Sequence, residues 1–190
     1  MLMKSLAKIR SKMDISQRTL ASLASLSFRT VQLLESGAHD PKISTLKNIA
    51  KALGYPPEII DNRLDLIFSL PVDSISIISE RILTAGGDSW KIWLFNFVDA
   101  FRKEKNRAYI DSPPVQGLAP ELNALIAGAV ETLCDELKII HPLWCSAIAP
   151  LKTPWFVSGI ENLKAISIAE SPIHFRKRNI FVLENFLSRR

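Results

Sequence analysis

Residues 16 to 37, SQRTLASLASLSFRTVQLLESG, leave the first third of this chain few ways to fold. Ser16 is placed to cap a helix that Gln17 opens. Leu20, Ala21 and Ala24 give that helix a narrow apolar stripe, and Ser25-Leu26-Ser27 breaks it. Ser27 caps a second helix, in which Val31 and Leu34 form the inner face and Gly37 supplies the C-terminal stop. A turn this short forces the two helices to cross steeply, and Ala21 and Ala24 are small enough to permit close contact there.

That crossing frees the second helix to enter a DNA major groove, the layout of a helix-turn-helix. The flanks complete a domain. Leu6 and Ile9 share one face of an opening helix. Ile43, Leu46, Ile49, Ala50 and Leu53 keep helical spacing in the segment from 44 to 53, which Gly54 and Pro56 end, and Pro41 stiffens the loop before it. The expectation is four or five helices around one small core, with no need of a disulfide or a metal.

The run IRSKMDISQRTLASLASLSFRTVQLLESGAHDPKISTLKNIAKALG resembles the Cro and phage-repressor class, the Xre-like family. Gln17, Leu20-Ala21, Val31, Glu35, Gly37, Pro41 and the closing AKALG carry the likeness, which covers about the first third of the chain. The resemblance implies a lambda-repressor-like fold that binds double-stranded DNA as a dimer, with a recognition helix at 28 to 36. It also implies that Gln17 binds a phosphate and braces that helix, and that Arg10 pairs with Glu35 as a structural link.

Charge points the same way independently. Residues 1 to 54 carry nine basic side chains (Lys4, Lys8, Arg10, Lys12, Arg18, Arg29, Lys42, Lys47, Lys51) against three acids (Asp14, Glu35, Asp40), whereas the whole chain is only +5. A local basic excess is what phosphate binding through counterion release requires.

With Val31 and Leu34 turned inward, Phe28, Arg29, Gln32 and Leu33 face outward. Arg29 has the fork to read a guanine edge or hold a phosphate, Gln32 suits adenine or a phosphate, and Phe28 suits a thymine methyl. Phe28 and Leu33 are apolar where many relatives are polar, so they read thymine methyls or touch protein. Ser27, at the N-terminus of this helix, joins the DNA-facing set. Lys42, Ser44 and Lys47 border the next helix start, where free N–H groups favour a phosphate.

Residues 71 to 190 differ in texture and are expected to form a second, mostly helical region for dimerisation or partner binding, so that the whole is all-α with a first domain at 1 to 70. Between 71 and 175 there are nine basic and twelve acidic residues and all four tryptophans. Tyr55-Pro56-Pro57 ends the basic unit, and the apolar strip 64 to 70 is expected to pack back on it. Ile75, Ile78, Ile82 and Leu83 give one face of a helix that Gly86-Gly87 ends, and Asp88 or Ser89 caps the next. There Trp90, Trp93, Leu94, Phe97, Val98 and Phe101 form an aromatic stripe, with Ile92 and Phe95 off it. A third helix runs from 120 to about 137. Prolines 142, 150 and 154 then impose short turns, a short helix is expected from 162 to 170, and IFVLENFL at 180 to 187 reads equally as strand or helix. Arg176, Lys177, Arg178, Arg189 and Arg190 against Glu184 make the tail basic.

The string PWFVSGIENLKAISIAESPIHFRKRNIFVLENFLSR is similar to the C-terminal part of Xre-type proteins encoded beside AbiEii-like nucleotidyltransferase toxins. This resemblance implies an antitoxin that represses its own operon and grips a protein toxin. The alternatives are a phage-like repressor whose second region only dimerises, or one that senses a small ligand in a tryptophan-lined core.

No enzyme is expected. His39, His141 and His174 are far apart in sequence, and no nucleophile triad, HExxH or phosphate loop surrounds them. His141 and Cys145 are spaced i and i+4 with Cys134 upstream, the outline of a three-ligand zinc site. Pro142 interrupts the helix this needs and a fourth ligand is missing, so no metal or cofactor is expected, only two reduced, buried cysteines. Asp135 and Glu136, adjacent on a helix, read as a solvated face. With a lysine-interrupted start and no apolar run near membrane-spanning length, the expected setting is cytoplasmic and off the membrane.

Overall fold

The computed structural model describes residues 3 to 188 and divides into two units, Met1–Ser69 and Leu70–Arg190. The side chain of Lys4, and Arg189 and Arg190, which were counted among the charges above, lie outside the described residues.

The first unit is five helices: α1 (Met3–Lys12), α2 (Gln17–Leu23), α3 (Phe28–Ser36), α4 (Ile43–Ala52) and α5 (Glu58–Ser69). Its core is Leu6, Leu20, Ala21, Ala24, Val31, Leu34, Ile49 and Leu53. Ser16 and Ser27 each accept the backbone N–H of the residue three ahead, Thr19 and Thr30, at 3.0 Å, satisfying a donor that the helix leaves orphaned. Between α2 and α3 the chain reverses at Ser25 (φ 55), where Leu26 N–H donates to Ala21 C=O at 2.8 Å. Gly37 (φ 76) closes α3 with its own N–H on Leu34 C=O and that of Ala38 on Leu33 C=O, a Schellman-type stop that needs the left-handed backbone glycine tolerates.

Two expectations change here. Helix α4 begins at Ile43, with Lys42 rather than a side-chain cap at its entrance, and Leu46 N–H to Lys42 C=O closes the first turn. The strip at the end of α5 does not pack inward as expected: none of the helix is fully buried, and Leu66, Ile67 and Phe68 are 52%, 51% and 81% exposed. Three consecutive residues sweep about 200° around the helix axis, more arc than one contact face covers. Ile60 and Leu64, four apart, take the half-buried positions instead.

The second unit is built around α8 (Pro120–Leu137), buried at every residue from 124 to 131, a run that is apolar on every side up to Val130 and ends on the carboxylate of Glu131. Around it stand α6 (Ile75–Ala85), α7 (Trp90–Glu104), α9 (Lys164–Glu170) and α10 (Ile173–Arg176). In α6 the buried face is Ile75, Ile78, Ser79 and Ile82, the i, i+3, i+4, i+7 set; Leu83, expected inside, is 42% exposed. Ser79 is satisfied there, donating to Ser76 C=O and accepting from Val115 N–H. The stripe of α7 buries Leu94, Phe97, Val98 and Phe101, while Trp90 and Trp93 are half-buried and Ile92 is exposed.

The proline-rich stretch forms a 3₁₀ turn at Leu143–Ala147 and a two-residue strand β1 (Trp155–Phe156). This strand pairs in parallel with β2 (Ile180–Phe181), so the ambiguous 180 to 187 segment is a brief strand followed by turns, with Ile180, Val182 and Leu187 buried. Helix α9 starts at Lys164, after a 3₁₀ turn over Glu161–Leu163, and not at 162. The molecule is mostly helical, and no described helix is long and apolar enough to cross a membrane.

Candidate nucleic-acid interface

Helix α3 turns Val31 and Leu34, both fully buried, into the core and leaves Arg29 and Gln32 exposed on the opposite side. Phe28 is 38% exposed and Leu33 is half-buried, so the outward face is less apolar than its sequence suggests. The Arg18 guanidinium on α2 lies 5.4 Å from the centre of the Phe28 ring, a cation–π contact that covers part of the ring and adds a cation beside it. Arg18 was missed by sequence reasoning because nothing in residues ten apart signals such a contact.

The C-terminal turn of α3 is held by a three-residue network. Arg10 donates from Nε and Nη2 to the two oxygens of Glu35 at 2.7 and 3.1 Å, and from Nη1 to Ile15 C=O at 2.9 Å. Gln17 Nε2 donates to Glu35 Oε2 at 2.7 Å. The Glu35 side chain is 7% exposed, and the hydrogen bond from Arg10 holds its carboxyl below the ordinary value, against the opposing push of burial. Helices α1 and α2 thus fix the angle at which α3 leaves the core.

Ser27 is exposed, but its hydroxyl already caps Thr30 N–H and lies 2.7 Å from Thr30 Oγ1. Lys42 and Ser44 are exposed at the start of α4. Lys47 is not a free cation as expected from sequence: its Nζ lies 2.6 Å from Asp61 Oδ2 on α5. The two sit on different helices, and no spacing rule links them.

Residues 6–60 match the helix-turn-helix family model. The match, of the Xre/lambda-repressor type, starts within α1, covers α2 to α4 and enters α5, and it supports a DNA-binding transcriptional regulator. Helix-turn-helix domains of this family are regulatory and not usually enzymatic. No curated protein and no solved structure matches the chain.

The second unit holds polar chemistry that the sequence concealed. Asp135 and Glu136, expected to be a solvated face, are both engaged. Glu136 takes a two-pronged bond from Arg102 at 2.9 and 2.7 Å, and Asp135 joins His141 and His174, which the fold brings together. Beneath them Glu131 and Arg178, at 3% and 2% exposure, form a buried pair at 2.5 Å, with Lys177 Nζ at 2.7 Å from the same carboxylate. Burial alone pushes Glu131 up, but the hydrogen bonds from Arg178 and Lys177 outweigh it and hold the carboxyl below its ordinary value. Cys134 and Cys145 are buried free thiols and take no part in that cluster.

Proposed function

We propose that this protein is a sequence-specific transcriptional repressor that binds near-palindromic operators as a dimer through α3. The observation that carries this reading is the pairing of an exposed Arg29 and Gln32 with a buried Val31 and Leu34 on a helix anchored at both ends. Arg29 and Gln32 read base edges; Phe28 and Leu33 meet thymine methyls; Gln17, Ser27, Lys42 and Ser44 set the register on phosphates, and Lys47 joins them by exchanging Asp61 for a phosphate. Exposed Leu66, Ile67 and Phe68 on α5 give the DNA-binding unit an apolar surface on which a second copy can pair. Half-sites are then about one helical turn apart, roughly 34 Å. The reading places the protein in the cytoplasm.

The test is an operator footprint followed by binding of the Arg29→Ala variant. The variant should lose about 1 to 3 kcal/mol and discriminate less at one base position. Wild-type affinity and specificity in this variant would remove α3 from the interface.

For the second unit the antitoxin reading rests on the resemblance of the tail string, in which Phe175, Ile180, Val182 and Leu187 serve the core and leave the exposed residues to meet a partner. A cognate nucleotidyltransferase toxin should be neutralised by the full chain and not by one lacking residues 71 to 190. The ligand-sensing alternative has its own observation, a cleft of about 430 Å³ lined by Trp90, Phe95 and Phe186. Quenching of tryptophan fluorescence by a bound metabolite would support it.

A further inference from the structure

The last turn of α8, the loop after it and α10 aim three side chains at one point. Lys138 adopts the left-handed conformation (φ 58) that turns the chain back at the end of α8, so His141 returns beside Asp135. Helix α10 packs against α8 and brings His174 to the other side of the same carboxylate. His141 Nε2 lies 2.6 Å from Asp135 Oδ1 and His174 Nε2 lies 2.5 Å from Asp135 Oδ2. The two imidazole rings meet edge-on with centroids 5.2 Å apart, and one ligand atom from each of the three residues falls within 4.8 Å of the others.

We propose that Asp135, His141 and His174 bind a divalent transition-metal ion, with zinc the best fit. Two imidazole nitrogens and a carboxylate oxygen are a donor set for zinc and its first-row neighbours, whereas calcium and magnesium prefer oxygen alone. Both histidines present the same atom, Nε2, to the shared point.

The other nitrogen of His174 supplies an independent argument. Its Nδ1 is shut off from solvent and has no aligned hydrogen-bond partner among the described residues, yet it faces Glu131 Oε2 at 3.2 Å. A carboxylate this close behind the far nitrogen favours the proton on Nδ1 and leaves the Nε2 lone pair for a metal, and a small turn of the ring would make the contact the hydrogen bond that usually supports a metal-bound imidazole. Glu131 is itself pinned by Arg178 and Lys177, so this support does not wander.

Zinc bonds of about 2.0 to 2.1 Å in a tetrahedron separate neighbouring donors by about 3.3 Å. The present 2.5 and 2.6 Å contacts must therefore open by about 0.7 Å to admit the ion. His141 sits outside regular helix and its side chain is 35% exposed, so it has the freedom to move. The Asp135 side chain is 58% exposed and keeps the site open to solvent, leaving a fourth position for water or for a donor from a bound partner.

The test is calorimetric titration of zinc chloride into the full chain, freed of metal by chelation and carrying no added histidine tag. Cobalt chloride, followed by its ligand-field absorption, is the spectroscopic probe. One ion per chain is expected, with a cobalt spectrum typical of nitrogen and oxygen donors. His141→Ala and Asp135→Asn, both at partly exposed side chains, should each weaken binding by at least about tenfold while keeping the wild-type circular dichroism and melting point. Cys145→Ser should bind as the wild type does. Absence of stoichiometric binding, wild-type affinity in both His141→Ala and Asp135→Asn, or loss of binding in Cys145→Ser overturns the proposal. The first of these outcomes would leave the cluster as two histidines sharing a carboxylate through protons alone.

Discussion

Arg10 on α1 closes a two-pronged hydrogen bond on Glu35 at the end of α3, across 25 residues of sequence. The link ties the helix proposed to read DNA to α1, and Gln17 adds a third strut from α2. Rigid presentation of a few side chains is what base reading needs.

Removing one partner strands the other in a partly buried site. Arg10→Ala should destabilise the first unit by about 3 kcal/mol, measured by urea unfolding. The pair also gives a pH signature. The folded carboxyl of Glu35 lies below its ordinary value of 4.5, so the stabilisation is present above about pH 4.5 and drains away as pH falls through the lower folded value. In Arg10→Ala that acid-side loss should be much smaller.

The Lys47–Asp61 pair keeps a cation near the start of α4 engaged with α5. Asp61→Asn frees it. Fluorescence anisotropy against salt should show tighter DNA binding at low salt and a log–log slope steeper by up to about 0.9. An unchanged slope would mean that Lys47 meets no phosphate.

Gly128 on α8 faces the ring of Phe175 on α10. A Cβ built there falls 2.8 Å from the ring of Phe175, which is itself fully buried and has nowhere to go. Gly128→Ala gains about 1 kcal/mol of helix propensity but pushes the Phe175 ring into its packed neighbours at a cost of about 1 to 3 kcal/mol, so the net effect should be a lower melting temperature.

Burial pushes the thiols of Cys134 and Cys145 up to about 11 and about 12. Both should resist a thiol reagent near pH 8 in the native protein and react fast once urea unfolds it. Since the unfolded thiols ionise near their ordinary value of 9.0, stability should be intact below that pH and fall as pH rises from it toward 11 and 12.

The first unit was largely legible because its determinants are local. Ser16, Ser27 and Gly37 act within a turn of themselves, and Val31 and Leu34 declare their face by spacing alone. What escaped there depends on distance through space: Arg18 over Phe28, Lys47 on Asp61, and the exposure of Phe68. In the second unit the helices α6, α7 and α8 were readable from their apolar spacing, and Pro120 marked the start of α8 to the residue. The cluster at Asp135 was not, since Lys138, a non-glycine residue in a left-handed turn, redirects the chain toward His141. Nor does any sequence rule place Arg178 against Glu131, 47 residues away.

That buried pair has a consequence for how the protein is made. Glu131 leaves the ribosome long before Arg178, and until the cation arrives α8 carries a carboxylate that its apolar surroundings reject. The DNA-binding unit has all its core residues by Leu53 and can fold on emergence, while the second unit must wait for Phe175 to Leu187. Transcripts or chains cut short between these points would therefore yield a finished helix-turn-helix trailing an open, sticky half, a natural substrate for proteolysis.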